Sequence, residues 1–290
     1  MVLKKRETDG LDPERAAALR RLVAAPKFEL IPLTSAGAQL EALPPGATVT
    51  VTASPSHSLE ATLDLAVDAQ AMGHAAIPHL SAHMVRDRAH LDDLLHRMRD
   101  EGLRRTFVVG GDAKHPGAYR DGLSLLRAIE EAGRPLDEIG VPSYPEGHAE
   151  IDDARLLEVL LEKQAYASYM TTQMCFRPDA IVAWIERMRG AGVALPVHIG
   201  TPGVAELRKL MAISARIGVA DSARYLKKNK RMVGHLLSPG RFGPDALLEG
   251  LGPWIGDPAY DIRALHVFTF NQVEATVDWQ RRMLAELDAV

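Results

Sequence analysis

Glu29 is the residue of this sequence whose surroundings most suggest acid chemistry. It stands between Phe28 and Leu30 in a short strand-like run. Apolar neighbours disfavour the ionised form of a carboxyl group, so an inward-facing Glu29 would keep its proton near neutral pH. A carboxyl group in that state can act as a general acid. The alternative is a structural carboxylate that pairs with an arginine inside the fold.

Asp112 and Gln173 are candidate ligand-binding residues at the ends of two further strand-like runs. Asp112 follows two glycines, where the missing side chains would let a flat ligand or a backbone approach closely. Gln173 follows two threonines, and its amide both donates and accepts hydrogen bonds, which suits recognition of a heterocyclic amide. Without a ligand, Asp112 would cap a helix and Gln173 would bond within the fold.

The loop 144–148 reads Tyr-Pro-Glu-Gly-His and directly follows another strand-like run. Its aromatic, charged and rigid residues favour a binding role, although turn chemistry alone also explains Pro and Gly in loops. Several histidines fall at or near strand ends, which raises the question of a metal site. Metal barrels need clustered carboxylate and histidine ligands, and the first strand lacks a His-x-His pair, so we expect no metal. These histidines are His79, His148, His198 and His266.

A dense basic run occupies residues 224–231. A solvated helix face explains such a run, and the other interpretation is contact with an acidic ligand tail or a nucleotide phosphate. The sequence contains no Walker loop, no Gly-x-Gly-x-x-Gly after a strand and no Gly-x-Ser-x-Gly elbow. No lysine stands at a strand end where a Schiff base would form. These patterns argue against hydrolase, kinase and Schiff-base aldolase chemistry.

Strand-like runs and helical segments alternate about eight times along the 290 residues. This alternation predicts an α/β fold, a (β/α)8 TIM barrel whose chemistry lies at the C-terminal ends of the strands. We expect a single domain over residues 1–290, with 1–27 as an N-terminal helical extension. The strands are predicted at 28–32, 48–53, 74–80, 105–111, 139–142, 169–174, 195–199 and 264–270.

The regular spacing breaks between strands seven and eight, which are separated by about 65 residues. The helix at 204–217 is the expected barrel helix, and 222–237 and 245–251 are predicted as extra helices above or against the C-terminal face. Apolar residues at i, i+3 and i+4 indicate the others. These helices are predicted at 13–24, 59–72, 89–100, 117–132, 151–165 and 178–189.

The composition favours a small-molecule partner. The chain has 34 Lys and Arg against 38 Asp and Glu, so we expect no nucleic-acid or membrane partner. The single cysteine, Cys175, cannot form an internal disulfide, which fits a reducing cytoplasm. No apolar run approaches the roughly 18 residues of a membrane helix, and the N-terminus lacks the apolar stretch of a signal peptide. We therefore expect a cytoplasmic protein, and the composition carries no signal for an oligomeric state.

The strand ends, taken in order, resemble the methylenetetrahydrofolate reductase family. That family has Phe-Glu on strand one, Val-Thr on strand two, Pro-His-Leu on strand three and an Arg-Gly-Asp tip on strand four. A Tyr-Pro-Glu-Gly-His loop, Thr-Gln on strand six and a final His-x-x-Thr-x-Asn follow. The ordered set is specific and spans nearly the whole chain. The matching positions are Phe28 Glu29, Val51 Thr52, Pro78 His79 Leu80, Gly110 Gly111 Asp112, residues 144–148, Thr172 Gln173, and His266, Thr269 and Asn271.

The resemblance implies an oxidoreductase of one-carbon metabolism and methionine biosynthesis. Such an enzyme reduces 5,10-methylenetetrahydrofolate to 5-methyltetrahydrofolate with NADH or NADPH. By this resemblance, Glu29 is the acid that protonates the folate, so that its five-membered ring opens to an iminium. Asp112, Gln173 and Thr52 are the implied substrate-binding residues. The implied cofactor-binding residues are His79, Gly111, Tyr144 and His148.

The chain departs from the family where FAD phosphates are held. The family's basic stretch before strand six corresponds to residues 159–167, which lose most of that charge and gain a carboxylate at Glu162. The strand-four arginine is Gly110 here, and the family's arginine after strand two is missing as well. Each lost cation removes a charge-assisted phosphate contact worth about 1.5 to 3 kcal/mol.

We therefore expect that the chain binds FAD weakly, or that hydride passes directly from the nicotinamide to the folate iminium without a tightly bound flavin. The barrel would then need only to place the two rings face to face. The alternatives are a conventional FAD-dependent reductase of this family, another enzyme of folate or one-carbon chemistry, and a non-catalytic folate-binding protein.

Overall fold

Eight parallel strands close into a barrel in the structure, a computed structural model that describes residues 13–216 and 241–289. The strands are β1 Lys27–Leu30, β2 Thr48–Val51, β3 Ala75–Ser81, β4 Arg105–Val109, β5 Glu138–Ser143, β6 Tyr169–Thr172, β7 Val197–Pro202 and β10 Ile262–Phe268; a separate antiparallel pair joins β8 Ala205–Glu206 to β9 Arg241–Phe242. The order around the barrel is β1-β10-β7-β6-β5-β4-β3-β2. The predicted TIM barrel is confirmed.

Helices follow the strands along the chain and cover the outside of the barrel. They are α1 Pro13–Ala24, α2 Ala36–Glu41, α3 Leu59–Ala71, α4 Arg88–Asp100, α5 Gly122–Glu131, α6 Asp153–Lys163, α7 Pro178–Gly190, α8 Leu207–Arg216, α9 Asp245–Leu251 and α10 Val273–Leu287. Within the described ranges, none of these helices combines the length and apolarity needed to cross a membrane.

In the described part of the region before β10, the helices agree with those predicted from the sequence. The predicted extra helix at 245–251 is α9, which packs against α7, where Gly250 lies against Pro178. The predicted barrel helix at 204–217 is α8, which begins three residues later because residues 205 and 206 form β8. The predicted helix at 222–237 and the basic run 224–231 lie outside the described residues.

One helix prediction was wrong in extent, and one short helix was missed. The helix predicted at 117–132 begins at Gly122, because Asp121 and Ser124 form a capping box at that point. Gly117 instead packs so tightly against Val85 that an added Cβ would lie 2.0 Å from the Val85 carbonyl oxygen. The sequence analysis also omitted α2, which is only six residues long and shows little apolar periodicity.

Alternation along each strand separates two buried regions. On β1, Phe28 and Leu30 belong to the main core between the sheet and its helices, whereas Lys27 and Glu29 point into the barrel. The middle of the barrel interior holds a small apolar cluster of Ile77, Phe107 and Tyr169, with Val109 packed against it. Polar side chains therefore occupy the barrel interior on either side of an apolar layer.

The residues after β10 tie the last strand to the first. The Thr269 hydroxyl donates to the carbonyl oxygen of Glu29 at 2.6 Å and accepts from the backbone N–H of Asn271 at 3.2 Å. The Asn271 side chain bonds both the N–H and the carbonyl oxygen of Ile31 at 2.9 Å. Asn271 adopts a positive φ of 54°, which asparagine tolerates better than most residues. This clasp ends β1 at Leu30, two residues before the predicted end.

Thr269→Val should destabilise the barrel, because it keeps the shape of a fully buried side chain and removes the hydroxyl of the clasp. We expect the free energy of unfolding to fall by about 1 to 3 kcal/mol, the cost of leaving buried polar groups unpaired. Thr269→Ser keeps the hydroxyl and is the matched control. Urea denaturation of both variants makes the comparison, and a valine variant as stable as the serine variant would contradict the clasp.

Candidate active site

Glu29 lies at the C-terminal end of the barrel in contact with two histidines. Its Oε2 atom is 2.8 Å from Nε2 of His266 on β10 and 3.9 Å from Nε2 of His79 on β3. The His266 side chain is 2% exposed, whereas the Glu29 side chain is 15% exposed. The carboxyl group is therefore held from inside the barrel and still reachable from its mouth.

The surroundings of Glu29 differ from those expected from its neighbours in sequence. Phe28 and Leu30 face the helices, because successive side chains of a strand point to opposite sides. The carboxyl group instead meets imidazole rings contributed by β3 and β10. The expectation of an apolar environment was wrong, and the structure replaces it with a carboxyl–imidazole pair.

The short contact between Glu29 and His266 positions one proton between two groups. When the carboxyl group is ionised, His266 Nε2–H donates to it; when it is protonated, its O–H donates to Nε2. His266 Nδ1 is buried and has no hydrogen-bond partner among the described residues, so no second contact fixes the tautomer. The same contact can therefore form with either group as the donor.

His79 is the third member of this group. Its ring lies 4.8 Å from that of Phe107, centre to centre, and its Nε2 atom has no hydrogen-bond partner in the described part of the chain. Burial lowers the pKa of His79 to about 4, although the nearby Glu29 carboxylate acts in the opposite direction. His79 is therefore neutral at physiological pH and presents an unprotonated ring beside the acid.

The three side chains also form a cluster that the sequence analysis did not expect. One ligand atom each from Glu29, His79 and His266 lies within 4.8 Å of the others. The argument that carboxylate and histidine ligands would not cluster was wrong on this point. The prediction that the chain uses no metal stays a prediction, and the direct Glu29–His266 hydrogen bond is the contact that acid chemistry needs.

Thr52 and Gln173 follow the ends of β2 and β6. The backbone N–H of Thr52 donates to the carbonyl oxygen of Leu30, and its hydroxyl is buried without a hydrogen-bond partner in the described ranges. The backbone N–H of Gln173 donates to Ser143, and its side-chain oxygen accepts from the backbone N–H of Met174. The Gln173 amide nitrogen is left to donate to a ligand. Both positions stay predicted substrate contacts.

Asp112 lies on an exposed loop after β4. The glycine before it, Gly111, was expected to leave room for a flat ligand, but it packs against Ser81 instead. Gly111 has a φ of 95°, and an added Cβ would lie 2.1 Å from Ser81 Oγ, so the chain itself fills the space that a flat ligand was expected to use. No contact joins Asp112 to Glu29, and its role in substrate binding stays a prediction.

Tyr144 and His148 pack against each other in the loop after β5, with ring centres 5.0 Å apart in an edge-to-face arrangement. Tyr144 is largely buried, and burial raises the pKa of its phenol. His148 is exposed, and its Nδ1 atom accepts from the backbone N–H of Glu150. The structure brings these two predicted cofactor residues together. It places another of them, His79, beside Glu29.

The helices that follow β3, β4 and β5 all begin with an aspartate at the mouth of the barrel. Asp87, Asp121 and Asp152 accept hydrogen bonds from the backbone N–H groups of the first turns of α4, α5 and α6. Lys163, at the end of α6, lines a nearby cavity of about 530 Å³ that reaches Gly110. Burial lowers the pKa of Lys163, while Asp121 opposes that shift.

His266 is the functional residue that the sequence analysis left out of the predicted site. It appeared there as one of several strand-end histidines and as the first residue of the last motif. Its contact with Glu29 joins positions 237 residues apart. Only the closure of the barrel between β1 and β10 creates that contact, and the place of His266 in the ordered motifs was the one signal for it.

Lowering the pH should destabilise the folded protein partly through His79. The unfolded chain takes up a proton near the ordinary pKa of 6.5, whereas the folded chain does so only at about 4. Between these two pKa values the unfolded state therefore binds more protons than the folded state. His79 alone lowers the free energy of unfolding by about 2 kcal/mol when the pH falls from about 7 to 5. Urea denaturation at both pH values tests this.

The matched variants for that measurement are His79→Gln and His96→Gln. His96 is an exposed histidine on α4. We expect the pH dependence of the unfolding free energy to shrink in the first variant and to persist in the second. Equal pH dependence in the wild type and His79→Gln would show that the buried imidazole does not carry the effect.

Comparison with known proteins identifies a family for the chain. The model of the methylenetetrahydrofolate reductase family matches residues 25–219. Methylenetetrahydrofolate reductase 1 of Schizosaccharomyces pombe is 28% identical over 136 residues, which are 44% of this chain and 22% of that protein. Methylenetetrahydrofolate reductase 2 of the same yeast is 30% identical over 128 residues, which are 38% and 20% of the two chains.

The aligned part of the chain thus spans about a fifth of the length of these relatives. Among solved structures, a lyase/mutase from Burkholderia cenocepacia J2315 matches with a TM-score of 0.50 and 16% identity, over 96% of this chain and 90% of that one. This likeness concerns the barrel fold alone. The family match covers more than half of the chain. The chain belongs to the methylenetetrahydrofolate reductase family.

Proposed function

We propose that the chain reduces 5,10-methylenetetrahydrofolate to 5-methyltetrahydrofolate, with hydride passing directly from NADH or NADPH to the folate. The observation that carries the proposal is the hydrogen bond between Glu29 and His266 at the barrel mouth, which fixes the position of the carboxyl group that the family resemblance implies as the acid. The C-terminal ends of the strands are where TIM-barrel enzymes perform their chemistry.

Glu29 begins the reaction as the general acid. Its proton passes to the departing ring nitrogen, the bond from that nitrogen to the bridging carbon breaks, and the carbon becomes an iminium on the remaining nitrogen. Hydride from the nicotinamide then adds to that carbon, which gives the methyl product and NAD(P)⁺. His266 keeps Glu29 in place and stabilises the carboxylate by donating Nε2–H to it. Neutral His79 adds no positive charge that would compete for the proton.

The pterin ring is proposed to lie over Glu29, with Thr52, Asp112 and Gln173 as its polar contacts. Thr52 offers a buried hydroxyl without a partner among described side chains, and Gln173 offers its amide nitrogen. Asp112 offers an acceptor on an exposed loop. A donor on one side and an acceptor on the other suit the edge of a pterin, which carries both kinds of group.

The starts of α4, α5 and α6 are a poor fit for the diphosphate of a flavin dinucleotide. Phosphates bind well to helix N-termini whose N–H groups are free. Here the helix starts are capped by aspartates, each of which accepts a hydrogen bond from a backbone N–H of the first turn. The carboxylates of Asp87, Asp121 and Asp152 would also repel a phosphate. This arrangement supports a reaction without a tightly bound flavin, and no step of the proposed mechanism passes through one.

His79, Gly111, Tyr144 and His148 are the proposed nicotinamide-binding residues. Because the acidic helix caps surround this side of the mouth, the diphosphate of the nicotinamide dinucleotide is expected to bind away from them. In the sequence, the basic run 224–231 offers cations for that purpose. The conventional FAD-dependent reaction remains the second candidate, because Lys163 provides a cation beside the cavity near Gly110.

The decisive experiment combines a visible absorbance spectrum with an assay of nicotinamide oxidation. We expect the purified protein to lack the visible absorbance of a flavin and to oxidise NADH or NADPH only when methylenetetrahydrofolate is present. A stoichiometric flavin spectrum would replace direct transfer by the conventional reaction. Folate turnover that needs no nicotinamide would point to another one-carbon enzyme instead.

Glu29→Gln should keep the shape of the site and remove its proton. We expect kcat to fall by about 100-fold to 10,000-fold, the usual contribution of a general acid, with folate affinity largely kept. The assay is nicotinamide oxidation, and folate binding is measured by calorimetry. Glu131→Gln, on the outside of the barrel, is the matched control. Unchanged turnover in Glu29→Gln would favour a non-catalytic folate-binding protein.

A further inference from the structure

A second cavity lies at the opposite, N-terminal end of the barrel. Its volume is about 830 Å³, within the range of small-molecule sites. It is lined by residues at the starts of β3, β4, β5, β6 and β10, so it opens away from the mouth that holds Glu29. The side chains that matter here are His74, Arg105, Tyr169, His198 and Arg263.

Three of the lining side chains are buried without hydrogen-bond partners in the described chain. These atoms are Nδ1 of His74, the hydroxyl of Tyr169 and Nδ1 of His198, in residues that are 6%, 3% and 7% exposed. Buried polar groups in native proteins are almost always satisfied. Three exceptions in one cavity indicate that water or a ligand supplies the missing partners.

The charges around the cavity leave one cation without a carboxylate. Arg104 pairs with Asp137 at 3.1 Å, and Arg263 pairs with Asp261 at 2.6 Å. Lys27 pairs with Glu138 at 3.0 Å. In contrast, Arg105 pairs with Glu138 through the backbone of β4 and β5, and its side chain forms neither an ion pair nor a hydrogen bond with any residue that the structure describes.

Cations act on two of the buried side chains around the cavity, His198 and Lys27. Burial lowers the pKa of His198, and Lys27, His266 and Arg263 lower it further. Burial likewise lowers the pKa of Lys27, and Arg105 adds to that shift even though Glu138 opposes it. The neutral imidazole of His198 and the phenol of Tyr169 are then available as hydrogen-bond donors, and a negatively charged group would pair with Arg105.

We propose that this cavity binds a small organic anion whose carboxylate or phosphate group pairs with Arg105 and accepts hydrogen bonds from Tyr169, His74 and His198. A cation is the poorer fit, because the nearby carboxylates already have partners and Tyr169 has a hydroxyl to donate. The cavity is larger than one oxyanion needs, so the anionic group is carried on a polar metabolite.

The anion would be a separate ligand from the substrate. The apolar layer of Ile77, Phe107 and Tyr169 fills the barrel between the two ends. Tyr169 belongs to both regions, since its ring stacks on His198 at 4.0 Å and lies 3.8 Å from the Lys27 ammonium. The inference does not depend on the proposed reaction, and its failure would leave that reaction untouched.

The test uses the full chain with inorganic phosphate, citrate and sodium chloride of equal ionic strength as probes. We expect phosphate or citrate to bind saturably in calorimetry and to raise the melting temperature, with chloride giving neither effect. Binding of phosphate alone would assign the phosphate chemistry, and binding of citrate alone would assign the carboxylate chemistry. Absence of saturable binding by both would show that only water fills the cavity and would overturn the proposal.

Two variants locate the binding. Arg105→Gln should weaken it by about tenfold or more, because a charge-assisted contact is lost. Arg99→Gln, which removes a surface cation from α4, should leave it unchanged. If Arg105→Gln fails to fold, Tyr169→Phe decides, since it removes a hydroxyl that no described residue uses. Wild-type affinity in the decisive variant would overturn the proposal.

Discussion

The structure depends on the pairing of its first strand with its last. β1 is only four residues long, and its register against β10 sets Lys27 opposite His266 and Glu29 opposite Phe268. From that register follow the contact between Glu29 and the His266 ring and the clasp that Thr269 and Asn271 place on the end of β1. The same strand pairing therefore closes the barrel and forms the contact between Glu29 and His266.

Alternation of side chains then divides the interior of the barrel. The usual filling of such a barrel is branched and apolar, whereas here only the middle layer has that character. Below it, Lys27 and Glu138 form an ion pair, which offsets part of the cost of removing both charges from water. Above it, the carboxyl group of Glu29 and two imidazoles share a partly open site. The apolar layer keeps these two polar regions from merging.

Much of the fold was predictable because strands and helices obey local rules. The eight strand-like runs and the extra helix α9 were recognised from apolar periodicity, and the order of the strand ends indicated the family. Glu29 was singled out from its place on β1, and its role as the acid stays a prediction. What failed was the environment of Glu29, since neighbours in sequence point away from each other on a strand. His266 was missed because its contact depends on a partner 237 positions away. The close packing of Gly111 on Ser81 likewise cannot be read from local sequence.

The apolar layer also determines how the acid regains its proton. A packed barrel is not a pore, and Ile77, Phe107 and Tyr169 separate Glu29 from the solvent at the far end. Each proton that Glu29 gives up must return through the mouth, which is the same opening that a bound folate would cover. Under the proposed chemistry, the product leaves and the proton returns through the same opening. Glu29 can therefore be reprotonated for the next cycle only after the product has left the mouth.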